Sequence, residues 1–212
     1  MNFSTDRDLL ALEPGVFLDV PFAAQQRVSV SDGVLTGTTL TSAEADFEAA
    51  QVESGHVVLI NRVAHEVVER VDAGTLTVSL LRARAAGPAI PGEEGTGLSV
   101  KVRSFAAQAA LVHDELLRLL GIDPDDPEAV LDEDAVVSLS MMAQLEALGT
   151  LERVYTGAAA LVGDNETVSQ KAQFYRKRFR EALAQATVLI DTDGDGRANE
   201  RRHFGLVRLL RV

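Results

Sequence analysis

The sequence predicts an α+β protein in which a small antiparallel β-barrel or sandwich precedes a helical bundle with an extended C-terminal arm. Up to residue 103, short runs rich in valine and threonine alternate apolar and polar side chains, as half-buried strands do. From Ser104 onward, apolar residues recur every three or four positions, which is the period of one helix face. We therefore predict a β-rich lobe at 1–103 and a helical domain at 104–212, with the arm at 203–212.

The β-rich lobe consists of short runs separated by turn residues. "VFLDV" (16–20) predicts a short strand, and "RVSVSDGVLTGTTLT" (27–41) predicts a hairpin whose tight turn is Asp32-Gly33. Three further strands are predicted by "HVVLI" (56–60), "HEVVERV" (65–71) and "TLTVSLL" (75–81), the last two joined by a turn at "DAG". Residues 85–97 break all periodicity and predict a loop. Short strands with frequent turns are typical of a small barrel or sandwich.

The helical domain begins where the period changes. Ser104 is a suitable N-cap and Gly121 a suitable stop for a first helix, and Asp126-Pro127 has the form of an N-cap followed by proline. Residues 134–162 predict one long helix, or two that meet near Gly149, and residues 167–190 predict another. The apolar stripes that support the first and last of these helices are Phe105, Ala109, Val112, Leu116 and Leu119, and then Val168, Ala172, Tyr175, Phe179, Leu183, Ala186 and Ile190.

Composition and charge narrow the classes of function. The chain has no cysteine, so thiolate metal sites and cysteine nucleophiles are excluded. Its N-terminus lacks the basic flank and apolar run of a signal peptide, and no apolar run reaches bilayer length, so we expect synthesis in the cytoplasm and no membrane partner. The net charge is −12, with −17 in residues 1–170 and +5 in residues 171–212. This asymmetry fits a basic tail that meets an acidic surface, or a solvated acidic surface with one basic helix.

The stretch "DTDGDGRANE" (191–200) begins like a calcium-binding loop. Asp191, Asp193 and Asp195 occupy positions 1, 3 and 5 of an EF-hand pattern, and Gly196 occupies position 6. Position 12, where that pattern needs a bidentate glutamate, is Arg202. An Asp/Gly-rich turn with side-chain-to-backbone hydrogen bonds is the favoured interpretation, with calcium as the alternative cofactor.

Other motifs argue against an enzyme and against a nucleic-acid binder. The triplet His113-Asp114-Glu115 lies on a predicted helix, where consecutive side chains point in different directions and cannot share one metal. The sequence contains no nucleophile elbow, phosphate loop or dinucleotide fingerprint. The basic residues of helix 167–190 alternate with aromatic residues of its apolar stripe, and a sequence pI near 4.7 is unusual for a duplex binder. Protein contact is the better interpretation of that face.

The helical domain resembles a family of phage proteins. The stretches "SFAAQAALVHDELLRLLGIDPDDPEAVLDEDAVVSLSMMAQLEALGTLERVYTG" and "KAQFYRKRFREALAQATVLIDTDGDGRAN" are similar to the helical head–tail connector (adaptor) proteins of tailed bacteriophages. Upstream, "GTTLTSAEADFEAAQVESGHVVLI" and "EVVERVDAGTLTVS" are similar to a β module of phage structural proteins. The large N-terminal β portion departs from the smallest members of the family, which are almost wholly helical.

The resemblance implies a structural virion protein with no enzymatic activity. It implies a ring of about a dozen copies beneath the portal protein, linking the capsid to stopper or tail proteins at the head–tail junction and lining the channel through which DNA passes without specific binding. It also implies a C-terminal segment that docks on the portal. The residues we expect to contact partners are therefore those of the basic helix and of the C-terminal end: Lys171, Arg176, Lys177, Arg180, Arg201, Arg202, Phe204, Leu206, Arg208, Leu209, Leu210 and Arg211.

A second hypothesis needs no ring. A calcium-dependent binding protein would use the Asp191–Glu200 loop and would bind calcium tightly, which a purely structural adaptor does not require.

Overall fold

A computed structural model of the chain describes residues 2–126, 129, 131–162 and 166–204. They form two compact units. The barrel unit runs from Thr5 to Ala106, and the helical unit comprises the residues up to Ser4 together with those from Ala107 onward. The mixed α+β class and the order of the two lobes are therefore confirmed. The boundary at 103/104 lies within three residues of the observed one, but the first few residues join the helical unit, which the sequence did not indicate.

The barrel unit is a closed barrel of six antiparallel strands in the order β1-β2-β5-β4-β3-β6. Its apolar side chains fill the interior around Leu35, Leu40, Phe47 and Val58, which are all buried. Two short helices precede the strands. The bounds are α1 Asp6–Leu12, α2 Val16–Asp19, β1 Gln26–Thr36, β2 Thr39–Thr41, β3 Val57–Ile60, β4 Val63–Asp72, β5 Thr75–Ser79 and β6 Gly95–Arg103.

Two predictions for the barrel unit are wrong. "VFLDV" forms the helix α2 instead of a strand, with Val16 and Phe17 fully buried. Asp32-Gly33 is not a turn, because β1 continues through it, with a register shift against β6 between Val30 and Gly33, and the chain reverses at Gly37, whose φ is +59°. Gly33 is needed for close approach instead: a Cβ there would lie 2.4 Å from Val100 Cγ2 on β6. The strands over 56–81 and the turn at "DAG" are confirmed.

The described residues of the helical unit form three long helices and a two-stranded sheet. The helices are α3 Ala106–Leu119, α4 Leu139–Val162 and α5 Glu166–Gln185, and the strands are β7 Thr187–Ile190 and β8 Glu200–His203. The helix α4 is continuous through Gly149, where a Cβ would lie 2.7 Å from Val112 Cγ1 on α3 and 3.0 Å from Phe179 Cζ on α5. The lack of a side chain at Gly149 therefore lets the three helices pack closely.

The end of α5 corrects the predicted helix over 167–190. The helix stops at Gln185, and residues 187–190 form β7, which pairs with β8 in antiparallel register from Thr187–His203 to Ile190–Glu200. Three of its four residues (Thr187, Val188 and Ile190) are β-branched and therefore favour a strand. In α3, Leu119 is 45% exposed, although the predicted apolar stripe included it. The predicted cap at Asp126-Pro127 lies partly outside the described residues. None of the helices that the structure describes combines the length and the hydropathy needed to span a bilayer.

Candidate functional site

The inner part of the basic face of α5 is occupied by contacts with α4. Tyr155 and Tyr175 stack with their ring centroids 5.7 Å apart, and Lys171 Nζ lies 5.3 Å from the Tyr155 ring centroid. Arg176 Nε lies 3.1 Å from Glu152 Oε1. These two cations therefore stabilise the helix pair, and a partner would have to compete with α4 for them.

The outer part of the same face is available for contact. Phe174 is 52% exposed, and the guanidinium carbon of Arg178 lies 5.6 Å from its ring centroid. Lys177 Nζ is 3.8 Å from Glu181 Oε1, and Arg180 is exposed and forms no ion pair within the described chain. An exposed aromatic ring covered by arginine is the composition found at the centre of many protein interfaces. We call the whole solvent-exposed side of α5 the outer α5 face; it includes Phe174 and Lys177, with Arg178 at one edge and Arg180 at the other.

The C-terminal residues divide into those that belong to the fold and those outside the described chain. Arg202 Nη1 donates to the Leu120 carbonyl at 2.5 Å, and its Nε donates to Glu200 Oε1 at 3.0 Å. Phe204 is 9% exposed and packs in the core of the helical unit. Phe204 is therefore not exposed to a partner, and Arg202 is held by its own chain, whereas Arg201 is exposed. The role of these three residues as partner contacts stays a prediction. The other predicted contacts of the arm lie outside the described residues: Leu206, Arg208, Leu209, Leu210 and Arg211.

The acidic loop joins β7 to β8, and its first aspartate organises it. Asp191 is 8% exposed, and its two carboxylate oxygens accept hydrogen bonds from the backbone N–H groups of Asp193, Gly194 and Gly196 at 2.7–3.2 Å. Burial acts to raise the pKa of Asp191, but these hydrogen bonds outweigh it and hold the pKa below the ordinary value. The local hydrogen bonds expected of an Asp/Gly-rich turn are thus present. The turn follows a strand, not the helix that the sequence predicted.

The loop also has the geometry to hold a cation. Asp191, Asp193 and Asp195 each offer a carboxylate oxygen, and these oxygens lie within 4.8 Å of one another. Asp132 and Asp134 line the same open cavity of about 510 Å³. Such a group of oxygen donors is the kind that calcium prefers.

A buried carboxylate that the sequence reasoning missed lies in the helical unit. Glu146 of α4 is fully buried. Its Oε1 accepts from the Ser4 N–H at 2.8 Å and the Ser4 hydroxyl at 2.7 Å, and its Oε2 accepts from the Phe3 N–H at 3.0 Å. His113 Nδ1 is also 3.0 Å from Oε2, and the Nε2 of the same ring is 3.0 Å from Glu133 Oε2. The signal in the sequence was a glutamate within the largely apolar stretch "MMAQLEALGTL" of a predicted helix, one turn from Met142.

Glu146 holds the first residues of the chain against the helices. A buried carboxylate is stable only when its lone pairs are hydrogen-bonded, and the N-terminal segment supplies three of the four donors. The same segment covers His113, whose ring centroid is 4.4 Å from that of Phe3. This cluster explains why the residues up to Ser4 belong to the helical unit.

In comparisons with known proteins, no protein-family model, curated protein or solved structure matches the chain.

Proposed function

We propose that the protein is a structural head–tail adaptor of a tailed bacteriophage particle, with no enzymatic activity. The observation that supports it best is the pairing of unlike surfaces on one chain. The outer α5 face is basic and aromatic, whereas the chain as a whole carries a net charge of −12. Unlike surfaces on one subunit favour head-to-tail contacts, which close into a ring when the rotation between subunits allows it.

In the proposed ring, the outer α5 face of one copy contacts an acidic surface of its neighbour. A strongly acidic stretch of the helical unit, residues 123–134, is a candidate for that surface, since Asp123, Asp126 and Asp134 lie on it and are exposed. A dozen copies would carry about −140 charges in total, and a channel wall of that charge would repel DNA and let it pass without binding. The remaining partners in this proposal are the portal protein and the stopper or tail proteins, with the assembled ring in the virion.

The C-terminal arm is the proposed portal contact, now restricted to residues 205–212. Phe204 must be kept, since it belongs to the core of the helical unit. Deleting residues 205–212 should therefore leave a folded protein that no longer joins the portal. A deletion that starts at residue 203 would remove Phe204 as well and is expected to destabilise the protein.

Charge reversal on the outer α5 face tests the ring contact. Arg176 is held by Glu152, so the double variant Arg178→Glu/Arg180→Glu is the sharper choice. We expect it to reduce self-association in sedimentation velocity more strongly at low salt than at high salt, and to prevent completion of particles seen by electron microscopy. The matched control is Arg27→Glu/Arg84→Glu in the barrel unit, which makes the same change in net charge on two exposed arginines.

If the two double variants assemble equally well, the outer α5 face is not the ring contact. If the wild-type protein is absent from purified particles, the adaptor function itself is wrong. The two failures are therefore distinguishable.

Calcium-dependent binding is the second candidate, because three carboxylate oxygens of the 191–200 loop converge. Titration calorimetry with calcium separates the two functions. Binding in the micromolar range or tighter that is lost in Asp193→Asn/Asp195→Asn would favour the calcium-dependent protein. A chelator that leaves the melting temperature unchanged, with no heat of calcium binding, would favour the adaptor.

A further inference from the structure

Three cations surround one small cavity on the outer surface of the barrel unit. The cavity has a volume of about 240 Å³, and Arg62, Lys101 and Arg103 line it together with Ser99. Leu18 and Leu59 contribute an apolar wall. A concentration of positive charge at one place is unexpected in a chain with a net charge of −12.

The strand geometry brings these residues together. Along β6, Leu98, Val100 and Val102 are buried in the barrel interior, so Ser99, Lys101 and Arg103 lie on its outer face. Strand β3 pairs with β6, with Leu59 opposite Lys101. Arg62 belongs to the tight turn after β3, where its φ is +71°. A positive φ is uncommon for arginine and places it in the small left-handed region.

Among the described residues, no carboxylate lies within ion-pairing distance of these three cations. Arg62, Lys101 and Arg103 form no ion pair within the described part of the chain, whereas two other arginines of the barrel unit, Arg7 and Arg82, both contact Glu66. Arg103 is 8% exposed, and burial lowers the pKa of its guanidinium.

Arg103 also has unused hydrogen-bonding capacity. Its Nη1 donates to the Phe17 carbonyl, but its buried Nε has no acceptor in the part of the chain that the structure describes. A buried charged donor without an acceptor is costly, and an anion in the cavity that Arg103 lines would offset part of that cost through its charge.

We propose that this cavity binds a phosphate group, either inorganic phosphate or a small phosphate monoester. Three cations match a dianion better than the single charge of a carboxylate, and guanidinium groups are well suited to phosphate oxygens. The cavity is smaller than those that hold drug-sized ligands, so it takes the phosphate group and little more. The acidity of the rest of the chain opposes a long polyanion such as nucleic acid. This site does not depend on the proposed adaptor function.

Calorimetric titration of the full chain with inorganic phosphate at low ionic strength tests the proposal. We expect saturable binding that chloride at the same ionic strength does not reproduce. The variants Lys101→Gln and Arg62→Gln should each weaken it about tenfold or more, because each removes one charge-assisted contact. The control Arg84→Gln makes the same change in charge on an exposed arginine of the barrel unit that does not line the cavity, and it should alter the affinity less than about twofold. A parallel titration with methyl phosphate distinguishes the sources: tighter binding than inorganic phosphate identifies a monoester, and weaker binding identifies free phosphate.

Other outcomes would overturn the proposal. Absence of saturable phosphate binding to the wild-type protein excludes the site, and so does an equal loss of affinity in Lys101→Gln and Arg84→Gln, since that would reflect net charge alone. Binding of acetate as tight as that of phosphate would reassign the cavity to a carboxylate, as from an acidic side chain of a partner protein. Circular dichroism of each variant checks the fold, and the exposed Arg62 provides a site whose replacement does not disturb the barrel core.

Discussion

The buried carboxylate of Glu146 should contribute strongly to the stability of the helical unit. In Glu146→Gln, one of the two acceptor oxygens becomes an NH₂ group, although each oxygen accepts from two donors in the native protein. At least one fixed backbone donor, the N–H of Phe3 or of Ser4, would then face another donor, and the remaining hydrogen bonds would lose their charged acceptor. Hydrogen bonds to a buried charged group contribute about 1.5–3 kcal/mol each, so the loss should be about 3–5 kcal/mol.

Thermal unfolding followed by circular dichroism measures this loss. For a chain of this length, about 3–5 kcal/mol corresponds to a fall of about 6–20 °C in the melting temperature. Hydrogen exchange should show the loss of protection in α4 first, because Glu146 lies in that helix. The matched control is Glu152→Gln on the same helix. The Glu152 side chain is 21% exposed and pairs with the half-exposed Arg176, so this variant should lower the free energy of unfolding by less than about 1 kcal/mol.

A double perturbation tests the assignment of the donors. Removal of the residues up to Ser4 should also destabilise the helical unit, but it should cost much less in the Glu146→Gln background, since the two changes remove the same hydrogen bonds. Equal melting temperatures for Glu146→Gln and Glu152→Gln would refute the reasoning, as would full additivity of the deletion and the substitution.

Three further predictions concern packing and pH. Gly149→Ala should destabilise the helical unit by about 1–3 kcal/mol, because its Cβ would lie 2.7 Å from a methyl carbon of α3. On the same helix, the Cβ of Gly157→Ala would meet nothing within 4 Å, and this control should stabilise the unit by up to about 1 kcal/mol. Denaturant titration of both variants measures the two changes, and equal changes would contradict the close packing at Gly149. Burial raises the pKa of Asp6 from 3.8 to about 6, so its contribution to stability is present below pH 3.8 and lost as the pH rises through 6. Asp6→Asn should therefore raise the melting temperature at pH 7 and have a smaller effect at pH 4; a loss of stability at pH 7 would contradict this. Phe204→Ala should lower the free energy of unfolding by about 3 kcal/mol. The control Leu161→Ala, at a side chain that is 74% exposed, should lower it by less than about 0.5 kcal/mol. Similar losses in the two variants would show that Phe204 is not part of the core.

Much of the fold was predictable because local patterns are governed by local physics. The valine- and threonine-rich runs over 65–81 specified two strands, and "DAG" specified the turn between them, since β-branched residues favour the extended chain. Likewise, Val112 and Leu116 occupy one face of α3 and are both buried. The basic character of the outer α5 face also follows directly from the order of residues in that helix.

Two strand segments were predicted wrongly because they depend on contacts between distant parts of the chain, which no local pattern specifies. Asp32-Gly33 has the sequence of a turn, yet it continues β1 because its pairing with β6, some 65 residues later, favours an extended chain there. Residues 187–190 continued an apolar helical stripe, yet they form β7 because β8 and the bridge between Val136 and Ile190 supply hydrogen bonds to the strand.

The sequence by itself determined the α+β class, the order of the two lobes, the basic helix and the acidic loop, because each depends on residues that are neighbours along the chain. Only the tertiary structure decided that Glu146 binds the first residues of the chain and that Phe204 is core. It alone brought Arg62 to Lys101 and Arg103, through the pairing of β3 with β6. The burial and the missing counter-charge that give these groups their chemistry are properties of a three-dimensional environment, and side-chain identity alone does not contain them.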